Sequence, residues 1–547
     1  MAEGHDAHSQ RFGLKRGRCV AHHLTHRYQV NLVGQGALVG LAGGAVVSAY
    51  RFALSHAESL LRTIISAAAK IPFGMLGWFV VLLALCFIVG RLMVWEPNTQ
   101  GSGIPQVDAE VAAKLDAPWH RVLCAKFVEG TLCAFGGLSL GREGPSVQLG
   151  GMAGKGVAKL LGRRRGEERL LVTCGAAAGM SAAFHAPLTG VLFAIEEIHK
   201  EFTAPLIISV MTASVVSDFL VSQVLGVRPV LVLSFLNDIP HRQYAVVLLM
   251  GLYTGILGVL HNKGMFYCQD RLYKKIQNHL PYARLAIPFV LSGIIAFSAP
   301  ALLCGGDAII EMLLSPNSVQ LPLLIIVGLL IGKYLFTTLS FGSGAPGGTL
   351  FPLVVMGMLS GAVYAYGYGI VMGEPTAYIN SFIVLGVAGL FASVVRAPVT
   401  AVVLVFELTG SLDALLATSI VSIISYVTAN LLNVDPFYEH LYANLIGIGA
   451  KNPEVQGTPG EKELQTYVVG AGSAAEGKLI RDIPWPDDVL VVTIERGGQE
   501  ILPRGNTQLM ALDTLTIIQG VETADATNEF LRNLTQTNLT DQQSAFS

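Results

Sequence analysis

Apolar segments follow one another through most of this chain, and glycine and proline interrupt many of them before they reach the length of a membrane-spanning helix. Three such interruptions are residues 100–108 (QGSGIPQVD), 141–148 (GREGPSVQ) and 342–352 (GSGAPGGTLFP). In lipid, an irregular backbone leaves N–H and C=O groups unpaired unless protein or a polar cavity satisfies them. The interruptions therefore predict a bundle of broken membrane helices with a polar pathway where they meet.

The composition supports a multi-pass membrane protein. Of 547 residues, 52% are hydrophobic and only 14% are charged, whereas soluble domains carry roughly 25% charged residues. Basic clusters lie around Lys15, at residues 162–166 and at residues 271–284. Such clusters favour the cytoplasmic side of the cell membrane, so we expect a cytoplasmic N-terminal segment over residues 1–29. The net charge of -2 gives no indication of a nucleic-acid partner.

We expect neither an enzyme nor a metal protein. The histidines cluster in the polar N-terminal segment rather than around a candidate nucleophile or a metal site. Without any CxxC pairing, free buried thiols are the simplest interpretation of the seven cysteines, which are Cys19, Cys86, Cys124, Cys133, Cys174, Cys268 and Cys304.

The membrane region repeats itself. Residues 175–197 match residues 386–408 without a gap, and both stretches contain the pattern A-P-x-T, then six intervening residues, then glutamate. A looser match pairs KFVEGTL from Lys126 with KYLFTTL from Lys333. Chance similarity between apolar segments is the alternative for a single match. Two related halves with interrupted helices in corresponding positions predict a repeat-built transporter, with its site where the broken helices meet.

A helix that begins inside a membrane points unpaired N–H groups and the positive end of its dipole into the protein, where they attract anions. The breaks at residues 101–105, 141–145 and 344–350 each precede an apolar stretch. Close packing of small residues is the alternative for a single break. Three breaks favour an anion pathway.

Glu143 lies within one of these breaks. A carboxylate in a dehydrated, anion-attracting position competes with the anion for the same donors, and on protonation it can leave. This predicts a residue that is both gate and proton carrier; the alternative is a salt bridge with Arg142 or Lys126. Glu196 and Glu197 end an apolar stretch, where a solvated helix end is the usual explanation for acidic residues.

The chain changes character after about residue 449. Residues 449–463 form a polar linker, and three later stretches alternate as half-buried strands do. These are residues 464–470, 488–503 (with a hairpin turn at Gly497 and Gly498) and 514–520, and residues 473–483 are expected to form a connecting helix. The sequence thus predicts a small cytoplasmic α+β domain over residues 464–535, followed by a tail at 536–547.

The motifs GSGIP (101–105), GREGP (141–145), GSGAPGG (342–348) and PFY (436–438) closely resemble those of the CLC family of chloride channels and chloride/proton antiporters, in the same order. The resemblance covers residues 30–448. It implies a homodimeric bacterial membrane protein in which each subunit has its own pore, built from two inverted repeats at about 30–235 and 240–448. It also implies chloride as the transported ion.

The resemblance also implies roles for individual residues. By position, Glu143 matches the external gate of the family, and Glu197 matches the internal proton-transfer residue of its exchangers. The chloride ligands implied are the hydroxyls of Ser102 and Tyr438 and the backbone around Gly144, Thr349 and Leu350. Leu350 is a departure, because the family commonly has phenylalanine there, which leaves the coupling ratio open.

The C-terminal region is similar to the RCK C-terminal (TrkA-C-like) domains of bacterial ion transporters. The similarity implies a domain that dimerises and binds a small regulator such as cyclic di-AMP; support of dimerisation alone is the alternative. We expect a chloride/proton antiporter regulated through this domain. The alternatives are a passive, ligand-gated chloride channel and a sensor that has lost transport, against which the retained site residues argue.

Overall fold

The computed structural model describes residues 4–535 except 164, 201–202, 227–239, 241, 243, 278–282, 315–320, 374–377, 448–461, 471, 487, 497–498 and 521–523, and side chains from residue 30 onwards. The chain divides into two compact units, residues 1–449 and 450–547. The predicted boundary between the two membrane halves and the predicted turn at Gly497 and Gly498 lie outside the described residues.

The first unit is helical. Its helices are α1 (Gly4–Ala68), α2 (Gly74–Trp95), α3 (Ile104–Val111), α4 (Trp119–Phe135), α5 (Glu143–Leu160), α6 (Arg165–Phe184), α7 (Pro187–Phe193), α8 (Ala204–Leu225), α9 (Tyr244–Tyr267), α10 (Lys274–Gln277), α11 (Ala283–Ser298), α12 (Asp307–Leu314), α13 (Leu323–Gly342), α14 (Leu350–Met372), α15 (Ile379–Val395), α16 (Pro398–Thr409), α17 (Ala414–Leu431) and α18 (Phe437–Leu445). A π-helical turn, Ala194–His199, continues α7. Within the described residues, seven helices are long and apolar enough to cross a membrane, and three further apolar helices are shorter.

The predicted broken helices are confirmed. Each glycine-rich break ends where a helix starts, namely α3 at Ile104, α5 at Glu143 and α14 at Leu350. Gly103 has a φ of 97°, a left-handed conformation that favours glycine. Proline lies in the first turn of α3, α7 and α16, where the missing N–H removes no helical hydrogen bond.

The repeat seen in the sequence is also a repeat of structure. Helices α3 and α12 both have eight residues, and the glycine before each has positive φ, 97° at Gly103 and 109° at Gly306. In one half Gly101 N donates to Gly344 O at 3.0 Å. In the other half Cys304 N donates to Gly137 O at 3.3 Å. Each half therefore donates the equivalent backbone hydrogen bond to the other half.

Small residues bring the central helices together. A Cβ atom on Gly175 of α6 would overlap the carbonyl oxygen of Gly150 on α5, and one on Gly386 of α15 would overlap that of Gly357 on α14. Without a hydrophobic driving force between helices in lipid, this close backbone approach is a main source of packing energy. Equivalent helix pairs in the two halves thus pack in the same way.

The second unit is an antiparallel sheet with a helix. Its strands are β1 (Lys462–Val468), β2 (Leu490–Arg496), β3 (Gln499–Ile501) and β4 (Thr514–Gly520), in the order β1-β4-β2-β3, followed by α19 (Ala524–Thr535). Ile494, Leu515 and Ile517 from the sheet and Leu531 from α19 form its core. The predicted strands are confirmed.

The predicted helix over residues 473–483 is wrong. This segment forms turns and only a short 3-10 helix, Ile480–Asp482. Its backbone N–H groups donate to a neighbouring loop rather than within the segment. Ile480 N donates to Thr507 O at 3.0 Å, and Gly477 N donates to Leu509 O at 2.8 Å. Pairing with another loop has replaced the i to i+4 ladder that a helix would need.

An ion pair fixes the end of the sheet. The Asp513 carboxylate, whose side chain is fully buried, accepts hydrogen bonds of 2.7 Å from Arg496 Nε and Nη2 and one of 2.8 Å from Met510 N. Burial acts to raise the pKa of Asp513, but these hydrogen bonds outweigh it and hold the pKa below its ordinary value. The carboxylate therefore stays charged at neutral pH.

Replacing Gly175 by alanine tests the packing of α5 on α6. The new methyl group must displace the backbone of α5. We therefore expect Gly175→Ala to lower the free energy of unfolding by about 1–3 kcal/mol and to lower the melting temperature in detergent. Gly367 of α14 is the matched control, because open space surrounds its Cβ position. Gly367→Ala should leave the melting temperature equal or raise it, since alanine favours helix by about 1 kcal/mol. Equal melting temperatures for both variants would contradict the packing described.

Candidate functional site

A reciprocal pair of backbone hydrogen bonds joins the two halves at the centre of the first unit. Gly141 N donates to Gly348 O at 2.6 Å, and Gly348 N donates to Gly141 O at 2.7 Å. A Cβ atom on Gly348 would lie 2.8 Å from Gly144 N, so only glycine permits this approach. The pair places the start of α5 next to the start of α14.

Both helices begin without a capping side chain. Arg142 precedes α5 and Thr349 precedes α14, and neither side chain accepts a hydrogen bond from its helix. The first N–H groups of a helix have no partner within the helix. Two sets of donors, each at the positive end of a helix dipole, therefore converge on one region, which is a suitable environment for an anion.

Hydroxyl groups complete this region. The Oγ of Ser102 and the phenol oxygen of Tyr438 are buried, and neither makes a hydrogen bond of ordinary geometry with the part of the chain that the structure describes. The side chains of Ser102 and Thr349 are nonetheless polar neighbours of the Tyr438 hydroxyl. A Cβ atom on Gly144 would overlap Ser102 Oγ, so the start of α5 lies against Ser102. Buried hydroxyls without a partner are uncommon and indicate a site for a ligand.

Glu143 lies at the same helix starts. Its side chain is fully buried, and Oε2 accepts a hydrogen bond of 3.1 Å from Phe351 N, while Oε1 has no partner. The carboxylate thus occupies a donor at the start of α14, as expected of a group that competes with an anion. Among the described residues, neither cation proposed for a salt bridge pairs with it. Arg142 stacks 5.0 Å from the Phe351 ring centre, and Lys126 binds backbone carbonyls elsewhere.

Glu197 is a second buried carboxyl group near Tyr438. It belongs to the π-helical turn after α7 and is only 8% exposed, so a solvated helix end does not describe it. The Phe193 ring contacts the Tyr438 ring edge to face, with centroids 6.3 Å apart. Tyr438 interacts electrostatically with both Glu197 and Glu143. The hydroxyl therefore lies within electrostatic reach of two buried carboxyl groups.

The interpretation of Glu196 as a solvated helix end is wrong. Glu196 accepts hydrogen bonds from Thr400 N at 2.8 Å and Thr400 Oγ1 at 2.6 Å, at the start of α16. Glu407 does the same at the start of α7, with Thr189 N at 2.7 Å and Thr189 Oγ1 at 2.6 Å. The glutamate of each repeated motif therefore caps the helix of the other half, a charge-assisted interaction that a single half cannot make.

Two buried lysines hold the loops before the short helices. Lys126 Nζ donates to Thr99 O at 2.8 Å and to Gly101 O at 2.7 Å, next to Ser102. In the other half, Lys333 Nζ donates to Leu302 O at 3.1 Å and to Cys304 O at 2.7 Å. The weak sequence match between the segments that begin at Lys126 and Lys333 indicates that the two lysines are equivalent. It does not indicate which carbonyl groups their ammonium groups bind.

All the site residues expected from the sequence meet here. Ser102, Gly144, Thr349, Leu350 and Tyr438 surround the helix starts, with Glu143 among them, and Glu197 interacts electrostatically with Tyr438. Leu350 is buried as the first residue of α14, and the residue after it, Phe351, supplies both the N–H bound by Glu143 and the ring under Arg142.

Two family models match the chain. The model described as voltage gated chloride channel matches residues 81–430, and the model described as TrkA-C domain matches residues 464–532. Among curated proteins, the H⁺/Cl⁻ exchange transporter ClcA of Salmonella typhimurium is 32% identical over 418 residues, which cover 75% of this chain and 88% of that protein. The ClcA protein of Salmonella agona is 31% identical over the same length.

Solved structures share the fold. The crystal structure of a slow cyanobacterial Cl⁻/H⁺ antiporter aligns with a TM-score of 0.70 and 26% identity, covering 76% of this chain and 98% of that one. The crystal structure of a CLC-type fluoride/proton antiporter aligns with a TM-score of 0.59 at 21% identity, over 75% of this chain and 97% of that one. This second likeness concerns the fold alone.

Removing the Glu407 cap tests the exchange of caps between the halves. In Glu407→Ala, the N–H groups of Leu188 and Thr189 lose the carboxylate that accepts their hydrogen bonds. We expect the free energy of unfolding to fall by about 1–3 kcal/mol, which would be measured as a lower melting temperature in detergent. Glu311→Ala, at an exposed position on α12, is the control and should change stability by less than about 0.5 kcal/mol. A Glu407→Ala protein as stable as this control would show that the cap carries little energy.

Proposed function

We propose that this chain, which belongs to the voltage-gated chloride channel family, is a chloride/proton antiporter of the cell membrane in which Glu143 is the gate. The names of its relatives, which are H⁺/Cl⁻ exchange transporters, support exchange rather than passive flow. The observation that carries the proposal is the convergence of two uncapped helix starts and two partnerless hydroxyls on the buried Glu143 carboxyl.

Chloride is proposed to bind between Ser102 Oγ and the Tyr438 hydroxyl, with the backbone N–H groups at Thr349 and Leu350 as further donors and Gly144 leaving room for the ion. A chloride ion needs donors but no formal positive charge, and helix starts supply them in a dry setting. Ser102 Oγ and the Tyr438 hydroxyl make no hydrogen bond to the described residues that chloride would have to displace. Chloride is the substrate, and we propose no resident cofactor.

Glu143 is proposed to alternate between two states. As a carboxylate it accepts the hydrogen bond from Phe351 N and blocks the path, because its negative charge competes with chloride for that donor. When protonated it is neutral, so it no longer repels chloride and holds the N–H less strongly. Each departure of the side chain therefore carries a proton and admits an anion, which links the two fluxes.

Glu197 is proposed to exchange protons with the cytoplasm. It is buried, interacts electrostatically with Tyr438 and is not among the residues that line the cavity beside Ser102, so a proton that enters at Glu197 need not follow the chloride path. Arg284, at the mouth of the cavity beside Ser102, is hydrogen bonded to Gln100 at 2.9 Å and supplies a positive charge to attract chloride. The ion and the proton thus have separate entrances.

We further propose a homodimer with both termini in the cytoplasm, regulated by a small ligand at the TrkA-C-like domain. The positively charged clusters of the sequence support this orientation. A two-fold pair of such domains suits a ligand that binds one conformation more tightly than another. Cyclic di-AMP is our first candidate, and the alternative function is a ligand-gated chloride channel without proton coupling.

Substitution of the two acids separates gate from proton path. In liposomes with a chloride gradient and no proton gradient, the wild type should move protons uphill as chloride flows. Glu143→Gln mimics the protonated gate, so chloride should flow while proton movement falls to the level of empty liposomes. Glu197→Gln should also stop proton movement and retain chloride flux. Proton coupling that persists in Glu143→Gln would refute the gate, and a wild type without proton movement would favour the channel.

The regulatory proposal is tested by truncation after Lys451. The helical unit contains the whole candidate site, so the truncated protein should retain chloride flux in liposomes. Cyclic di-AMP on the cytoplasmic side should change the flux of the full chain severalfold and leave the truncated protein unchanged. If saturating cyclic di-AMP does not bind the full chain in calorimetry, this ligand is the wrong candidate.

A further inference from the structure

A second cavity lies next to residues that contact Glu143, and Ser102 is not among the residues that line it. Its walls include Glu58, Gly141, Arg142, Gly305, Asp307 and Phe351. Two of these residues touch the gate directly. Phe351 N donates to Glu143 Oε2 at 3.1 Å, and a Cβ atom on Gly141 would overlap that same oxygen. The cavity is therefore lined by two residues that contact the Glu143 carboxyl group, whose Oε1 is buried and makes no hydrogen bond with the described residues.

The repeat relates this cavity to the chloride site. The loop before α12 is held by Lys333 in the way that the loop before α3 is held by Lys126. Both loops end with a glycine of positive φ, Gly103 and Gly306. Ser102 therefore corresponds to Gly305, and Ile104, the first residue of α3, corresponds to Asp307, the first residue of α12.

The two loops carry different chemistry at these equivalent positions. The loop beside Ser102 offers a hydroxyl donor and an uncharged residue at the helix start, which suits an anion. The loop beside Asp307 offers no hydroxyl and places a carboxylate at the helix start, where it occupies the positive end of the dipole and repels a second anion. The scaffold that binds chloride on one side therefore presents a proton acceptor on the other.

Asp307 is close to the charged groups that matter for proton movement. It interacts electrostatically with Glu143, with Glu58 of α1 and with Lys333 of α13. Arg142 and Arg62 of α1 also act on Glu58. Asp307 and Glu58 are half-buried rather than sealed, so water can reach them from the cavity.

We propose that Asp307 is a proton-transfer residue that connects this cavity with the Glu143 carboxyl. When Glu143 releases its proton, a water molecule in the cavity passes it to the Asp307 carboxylate, which then releases it to bulk water; uptake follows the reverse order. The O–H bond of Glu143 breaks as an O–H bond of Asp307 forms, and no electrons are exchanged. This inference rests on the proposed antiport function.

Asp307→Asn tests the relay, because asparagine keeps the shape of the side chain and cannot carry the proton. In liposomes, coupled chloride and proton flux should both fall at least about tenfold, the scale of a lost proton-transfer group. Asp307→Glu should restore most of the flux. Glu311→Gln removes an exposed carboxylate one turn along the same helix and should leave both fluxes unchanged.

The Glu143→Gln background distinguishes a relay from a general effect on the pore. There, chloride flux no longer depends on proton transfer, so adding Asp307→Asn should leave it unchanged. If Asp307→Asn lowers chloride flux equally in the wild-type and Glu143→Gln backgrounds, Asp307 has a structural role and the relay is overturned. If Asp307→Asn leaves the coupled fluxes of the otherwise wild-type protein unchanged, the relay is also overturned. A wild type that moves chloride but no protons would refute the proposed function, and the relay with it.

Discussion

The reciprocal backbone pair between Gly141 and Gly348 is the contact on which the site depends. It lies where the two halves cross, and it fixes the starts of α5 and α14 side by side. Neither N-cap residue, Arg142 or Thr349, caps its own helix, so the donors at both starts face the same region, where Glu143 accepts a hydrogen bond from Phe351 N. A side chain at either glycine would collide with the other half. The collision would separate the helix starts and disrupt the site.

The glutamate caps repeat this reciprocal arrangement between the halves, and two lysines make equivalent contacts within each half. Glu196 and Glu407 each cap a helix of the opposite half, and Lys126 and Lys333 each hold a loop in their own half. Buried charged groups are costly in lipid unless they are fully hydrogen bonded. The caps remove that cost only when both halves are in place, so they favour the assembled bundle over either half alone.

The scaffold is symmetric, but its chemistry is not. Glu143 begins α5 where Leu350 begins α14, and Ile104 begins α3 where Asp307 begins α12. One side thus offers hydroxyl and N–H donors for an anion, and the other offers carboxyl groups for a proton. This difference is consistent with the proposed exchange of chloride for protons.

The broken helices and the two related halves could be predicted from the sequence, because glycine, proline and a repeated pattern mark them locally. Glycine and proline mark the start of α3, α5 and α14, and the ungapped repeat indicates two related halves. The partners of Glu196 could not be predicted, since they lie some two hundred residues away on the other half. The segment at 473–483 was predicted as a helix because its composition allows one, but pairing with the loop at 505–509 prevails over that propensity.

The central claim is that an anion binds where the helix starts and hydroxyls converge, in competition with Glu143. Crystals of the protein grown in bromide, with anomalous diffraction collected at the bromine edge, test it most directly. The account predicts a peak between Ser102 Oγ and the Tyr438 hydroxyl in the wild type. It predicts a second peak, at the Phe351 N–H, when Glu143 is replaced by glutamine. The absence of the first peak, or a second peak equally strong in the wild type, would contradict it.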